Sequence, residues 1–279
     1  MVAAGVYLLD GGTLEMDGFH VYWNRGPGGP VRIPCYSVLV ASPEGNILYD
    51  TGYDLDHVLK VLPFEKPRQS KSQTIPAQLA LLGLRPEDVS TVLISHFHFD
   101  HCGGIAQLPE AKVVAHRLEF ESAERPEPFE VLGYSDLSFA PEIARRRAQD
   151  VKAEHRSAGP QAQGDRSSND LDSRFLPIDG DIEIAQGVHL LATPGHSRGH
   201  CSLMVELAGR APLIFAGDAI YSQRSLDLEC IAGFHHDPVA SIRSMRRLKA
   251  LAEERGAKLF FSHEEESYAA YLKAPAGYS

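Results

Sequence analysis

The 279-residue chain has no apolar run approaching the roughly 20 residues that a membrane-spanning helix needs, so no membrane partner is expected. Basic residues are also scarce. Against 37 Asp and Glu stand only 27 Lys and Arg, and the formal charge of −10 repels phosphate backbones, so nucleic acid is excluded as a first expectation. The four cysteines, at 35, 102, 201 and 230, form no CxxC pair and no regular framework, which fits reduced thiols better than disulfides. The opening MVAAGVYLLDGG has no basic stretch and only a short apolar run before Asp10, so it does not read as a signal peptide and a cytoplasmic location is expected. There is a single tryptophan.

Histidine, by contrast, is plentiful: thirteen residues, to be explained as ligands or as scattered core and surface positions. With 43 % hydrophobic and 23 % charged residues the composition is that of an ordinary globular protein. Strand-like runs open the chain at Val6 to Leu9, Tyr36 to Ala41 and Ile47 to Tyr49, and Asp88 to Ser95 reads as a buried strand. The loop Asn24 to Pro30 has glycines like a phosphate loop, yet its two prolines and the lack of a following helix favour a hairpin or surface loop. Helical periodicity covers Pro76 to Leu82 and Pro141 to His155, where Arg145, Arg146 and Arg147 read as a solvated face.

Residues 157–175 are rich in Ser, Gly, Gln and Asp and read as a long connection between halves 1–156 and 176–279 of a single domain spanning 1–279. The second half repeats the plan, with strands at Ile182 to Ile184, Val188 to Ala192, Ser202 to Glu206, Leu213 to Ala216 and Lys258 to Phe261, and a helix at Pro238 to Arg255. Strands come first and helices later in each half, without strict βαβ alternation. The pattern predicts an α+β fold, an αβ/βα sandwich of two mixed β-sheets covered by helices.

The sharpest feature is His96-Phe97-His98-Phe99-Asp100-His101, directly after an apolar strand. Three imidazoles and a carboxylate in one turn suit zinc or a similar borderline metal. A closed structural site is the plainer interpretation. Against it, His196 in Thr193-Pro194-Gly195-His196, Asp218 in Phe215-Ala216-Gly217-Asp218 and His263 in Phe260-Phe261-Ser262-His263 all stand where a strand gives way to a loop, so they can converge on one edge.

This order, HxHxDH then His, Asp and His, resembles that of the metallo-β-lactamase superfamily and implies its fold. The resemblance implies one metal on His96, His98 and His196, a second on Asp100, His101 and His263, and Asp218 bridging both. It also implies that Asp50 orients a ligand histidine and that the ions are two Zn2+, although iron and manganese accept the same donors. Within the superfamily the lactonases are most similar. Tyr221 stands three residues after Asp218, where acyl-homoserine lactonases carry an active-site tyrosine.

Several blocks resemble the lactonases that open 4-pyridoxolactone to 4-pyridoxic acid in vitamin B6 degradation. They are Tyr7 to Gly12, His20-Val21, Trp23 to Gly29, Pro63 to Pro67, Ser95 to Gly104, Leu132 to Phe139 and Asp237 to Ala240. The chain departs from that pattern from about Glu142 to Phe175 and in Glu264-Glu265-Glu266. The implied activity is metal-dependent hydrolysis of a small lactone, with Tyr221 hydrogen-bonding the developing oxyanion and Asp100 protonating the leaving oxygen. An N-acyl homoserine lactonase and a non-catalytic metal-binding scaffold are the alternatives.

For a flat pyridine lactone, Trp23 would serve as a stacking wall and Arg25 as a polar partner; the other place for Trp23 is the core. Phe97 and Phe99 read as packing. His200 reads as a support or core residue, His235 and His236 as structural with the pocket rim as the alternative, and Cys102 as packing. His20, His57, His116, His155 and His189 have no ligand-like grouping.

Overall fold

The computed structural model describes residues 3–154 and 173–279. A six-stranded sheet contains β1 (Gly5–Asp17), β2 (Pro30–Ser42), β3 (Gly45–Tyr49), β4 (Val89–Leu93), β5 (Lys112–His116) and β6 (Phe175–Ile178), paired in that order. β1, β2 and β3 run antiparallel, and β3 through β6 run parallel. The second sheet has the order β11-β10-β9-β8-β7, built from β7 (Ile182–Ala185), β8 (Val188–Ala192), β9 (Cys201–Val205), β10 (Leu213–Phe215) and β11 (Lys258–Phe260). Here only β10 and β11 pair in parallel.

Alternating side chains explain the layering, because successive residues of a strand point to opposite faces. Val38, Val40 and Tyr49 from the first sheet meet Leu203, Val205 and Phe215 from the second in one buried cluster between the sheets. The intervening Leu39, Leu48 and Val92 face outward onto α3 (Ile75–Ala80), α5 (Arg117–Glu124) and α6 (Pro141–Glu154) through Leu79, Phe120 and Ile143. On the far side Met204 and Ile214 pack against Met245 and Leu248 of α8 (Pro238–Arg255). Both faces of both sheets are covered, giving the expected αβ/βα sandwich.

Three expectations need correction. β6 pairs with β5 in the first sheet, so the change of sheet falls between Ile178 and Ile182, after the connection and not at it. Residues 155–172 of that connection, His155 included, lie outside the described residues. β1 and β2 are each 13 residues long, well beyond the expected runs. Pro34, Arg32 and the Gly11-Gly12 register shift break the alternation in sequence, and only the partner strand restores the pairing. Finally, the three arginines of α6 are not one solvated face. Arg145 is exposed, but Arg147 donates from Nη1 to the Tyr134 carbonyl at 2.7 Å and Arg146 lies near Glu124, both partly buried.

Candidate metal centre

Every expected ligand follows the C-terminal end of a strand. His96 and His98 follow β4, with Asp100 and His101 in α4 (Phe99–Cys102). His196 follows β8, Asp218 sits in a short turn after β10, and His263 follows β11. The glycine before Asp218 is required: Gly217 has φ +54°, and a Cβ there would stand 2.8 Å from both His200 Nε2 and the Tyr49 hydroxyl.

The donors lie in two neighbouring groups on either side of the Asp218 carboxylate. His196 Nε2 lies 3.1 Å from His96 Nε2 and 3.0 Å from His98 Nδ1, and 3.3 Å from Asp218 Oδ2. The other oxygen of that carboxylate, Oδ1, lies 3.3 Å from His101 Nε2 and 3.2 Å from His263 Nε2. Asp100 Oδ2 completes the second group at 3.6 Å from each of those two nitrogens. Bonds of about 2.0–2.1 Å at tetrahedral angles put neighbouring zinc donors about 3.3–3.4 Å apart, so both groups have the spacing of ligands around an ion. His101 Nε2, His263 Nε2 and Asp218 Oδ1 are also buried without a hydrogen-bond partner, which is costly unless a cation sits among them. The residues fit two metal ions, with Asp218 facing both.

Neighbouring groups fix which ring nitrogen is free. Asp50 Oδ2 lies 2.8 Å from His101 Nδ1, which leaves Nε2 for the metal, and Asp50 itself accepts from the Ser95 backbone and hydroxyl at 2.7 and 2.8 Å. His263 Nδ1 donates to the Pro34 carbonyl at 3.0 Å, and Ser95 Oγ lies 2.9 Å from His96 Nδ1. His200 is a supporting residue, as expected. The Asp218 backbone N–H donates to its Nε2 at 2.9 Å, and its Nδ1 lies 2.9 Å from the Thr193 hydroxyl, while burial pushes its pKa down to about 3.

Burial also lowers His96, His98 and His196, keeping them neutral and able to ligate. Asp218 would be raised by burial, yet the adjacent His263 and His101 hold it well below the usual carboxylate range. Burial and the charges of Asp218 and Asp100 push the Tyr221 hydroxyl well up, so it stays a proton donor.

The metal groups form the floor of a cavity of about 300 Å³. Asp100, His98, His196, Asp218 and Tyr221 line it, and Phe64, Phe99, Phe129 and Phe234 supply flat apolar walls. Phe99 therefore lines the cavity, whereas Phe97 packs in the core on Phe120 and Phe139. Trp23 and Arg25 do not line it. Trp23 is neither wall nor core: it is 41 % exposed and packs edge-on against His235, which does line the cavity, at 4.4 Å between ring centroids. Arg25 donates to the Leu228 carbonyl at 3.2 Å. His235 thus reaches the pocket, and His236 Nδ1 lies 3.0 Å from Glu130 Oε1. Cys102 is fully buried as a packing residue.

Sequence reasoning missed four residues. Cys35 lies with Asp100 and His263 in a donor cluster, but burial keeps its thiol protonated. Glu65 and Glu130 line the cavity and are buried; burial, with the nearby charge of Asp100, raises Glu65 to about 7. Glu119 is fully buried on α5 and accepts from Phe97 N at 3.0 Å, Tyr134 Oη at 3.1 Å, Ser197 Oγ at 2.7 Å and Gly199 N at 2.8 Å. No spacing signals it, because its partners come from distant segments.

The sequence profile of the metallo-beta-lactamase superfamily matches residues 30–263, and the chain belongs to that superfamily. It is 29 % identical over 280 residues to the N-acyl homoserine lactonase AttM of Azorhizobium caulinodans, covering 98 % of each chain. The N-acyl homoserine lactonase AiiA of Bacillus thuringiensis subsp. kurstaki is 27 % identical over 275 residues, covering 95 % of each. Among solved structures it is similar to an N-acyl homoserine lactone hydrolase with the product N-hexanoyl-L-homoserine at its catalytic metal centre. That similarity has a TM-score of 0.77 and 25 % identity, covering 99 % of this chain and 100 % of the other. The fold is shared with AidC, a dizinc quorum-quenching lactonase, at a TM-score of 0.67 and 15 % identity, covering 100 % of this chain and 94 % of that one.

Proposed function

We propose that this member of the metallo-beta-lactamase superfamily is a lactonase that holds two zinc ions and opens the lactone ring of 4-pyridoxolactone to give 4-pyridoxic acid. The observation that carries the lactonase reading is the pair of donor groups sharing Asp218 at the floor of a cavity that also presents Tyr221 and Asp100. Two divalent ions on these donors supply Lewis-acid polarisation of a carbonyl and activation of water at neutral pH.

The chain's own residues supply the rest. Tyr221, kept protonated by burial, donates a hydrogen bond to the oxygen that becomes negative when water adds to the carbonyl carbon. Asp100, on the cavity wall, takes one proton from the adding water and hands it to the ring oxygen as the ring C–O bond breaks, so that this oxygen departs as an alcohol. The other product is a carboxylate, and one proton is released.

Support for a flat aromatic substrate comes from which residues form the wall. Phe64, Phe99, Phe129 and Phe234 line the cavity and offer flat faces to a planar ring, and Phe64-Glu65 and Leu132-Gly133, also on the wall, lie in blocks whose sequence resemblance motivates this reading. The fit at Gly133 is close: a Cβ there would stand 2.8 Å from His98 Nε2. The buried carboxylates of Glu65 and Glu130 interrupt the apolar lining that an acyl chain would prefer.

A second reading, N-acyl homoserine lactones, is favoured by the similarity to AttM, AiiA and the N-hexanoyl-L-homoserine complex. Hydrolysis of 4-pyridoxolactone and N-hexanoyl-homoserine lactone by the zinc-loaded protein, followed by proton release, separates the two. The expected result is a higher kcat/KM on 4-pyridoxolactone. Turnover of the homoserine lactone alone establishes the second reading, and turnover of neither by a protein carrying two metals leaves a metal-binding scaffold.

A further inference from the structure

Resting on the lactonase reading above, we infer that Glu65 and Glu130 form a substrate-recognition subsite that selects lactones carrying hydrogen-bond donors on the ring system, such as a hydroxyl or a protonated ring nitrogen. Both side chains line the cavity over the metal ligands, and both are more than nine-tenths buried. Glu130 has one oxygen engaged, with Oε1 3.0 Å from His236 Nδ1. Its other oxygen, Oε2, is buried without a hydrogen-bond partner, and so is Oε2 of Glu65.

An ionised carboxylate oxygen accepts hydrogen bonds and cannot donate them, so a donor answers it; Glu65, raised by burial to about 7, meets a donor in its ionised form, and a substrate donor favours that form. Leaving such an oxygen buried and unmatched is costly, and a substrate that brings a donor to it gains what an apolar substrate loses. The apolar part of the wall mixes aliphatic Met16, Leu62 and Leu132 with Phe64, Phe99, Phe129 and Phe234, whose flat faces suit a planar ring. The two carboxylates come from segments 65 residues apart and flank no ligand of the first metal group in sequence. The subsite is therefore a discriminator laid over a metal floor that lactonases in general can share.

The experiment compares kcat/KM for 4-pyridoxolactone with that for phthalide, a fused five-membered lactone without ring hydroxyl or nitrogen, in the wild type and in Glu65→Gln and Glu130→Gln. Thermal unfolding and two metals per chain verify each variant. A charged hydrogen bond predicts that the ratio of the two values falls by about 10-fold to 100-fold in each variant. An unchanged ratio overturns the subsite. For a variant that does not fold, the wild type alone decides: the 4-pyridoxolactone analogue lacking the ring hydroxyl should lose a similar factor against the parent, and equal values overturn the inference. If the wild type opens N-hexanoyl-homoserine lactone but not 4-pyridoxolactone, the substrate reading fails on its own. The subsite is then scored by that compound, whose amide N–H is a donor, against γ-decalactone, which has none. A metal-loaded wild type that opens none of these lactones overturns both.

Discussion

Asp218 and Tyr221 stand three residues apart and touch the same chemistry, yet they predict different losses. Asp218 presents one oxygen to each donor group. Asp218→Ala should therefore lower the metal content below two per chain and abolish most of the activity, measured by elemental analysis beside the lactone assay; two retained metals at an unchanged rate would refute the bridging role. Tyr221 lies with its ring 4.7 Å from that of His263 but belongs to neither donor group. Tyr221→Phe should keep two metals and lower kcat by about 10²-fold, the usual cost of one oxyanion donor. A parallel loss of metal would show that the tyrosine holds the site together instead. At this scale the sequence was informative wherever a ligand had a local pattern. His96, His98, Asp100 and His101 announce themselves by spacing. Trp23 and Arg25 do not, and neither lines the cavity: Trp23 packs behind His235, and Arg25 bonds the Leu228 carbonyl.

The elements explain why seven side chains from four loops meet. Each ligand loop leaves the same end of a strand, and the two sheets are held face to face by apolar residues such as Val40 and Phe215. That brings the HxHxDH turn of one sheet against the His196 turn of the other. Glu119 then ties the two turns together, since Oε2 takes Phe97 N and Oε1 takes Ser197 Oγ and Gly199 N. Phe97 lies between two ligand histidines and Ser197 follows a third. Glu119→Gln keeps the shape but must turn an NH₂ toward one set of donors. The first metal group should bind about 10-fold to 100-fold more weakly, the range expected for groups that orient ligands. Competition with a chromophoric chelator measures this, and an unaltered affinity would mean that the clamp is dispensable. The strand ends were legible because the apolar runs stop at Ile94, Ala192 and Ala216. The clamp was not, because an acid in a mixed helical stretch looks like any surface residue until its partners arrive.

Across the whole molecule, an acidic chain encloses a floor where two carboxylates, Asp100 and Asp218, would face two divalent ions, so the loaded donor groups themselves are cationic, while Glu65 and Glu130 on the cavity wall offset that charge. Because the buried donors are drawn from both sheets, metal binding and the docking of the sheets are linked. Exhaustive chelation should lower the thermal unfolding midpoint and re-addition of zinc should restore it. An unshifted midpoint in a chain verified to be metal-free would separate the site from the stability of the fold.

The sequence by itself determined the two-sheet sandwich and the close spacing of His96, His98, Asp100 and His101, because alternation and ligand spacing are local properties written in consecutive residues; His196, Asp218 and His263 were implied as ligands only by the resemblance to the superfamily. It could not determine that β6 belongs to the first sheet, since that depends on which edge is free to pair. Nor could it place Glu119 beneath the ligand turns, or Glu65 and Glu130 on the cavity wall. Those residues gain their roles only from neighbours remote in the chain, and the packing of the two sheets alone decides which neighbours they meet.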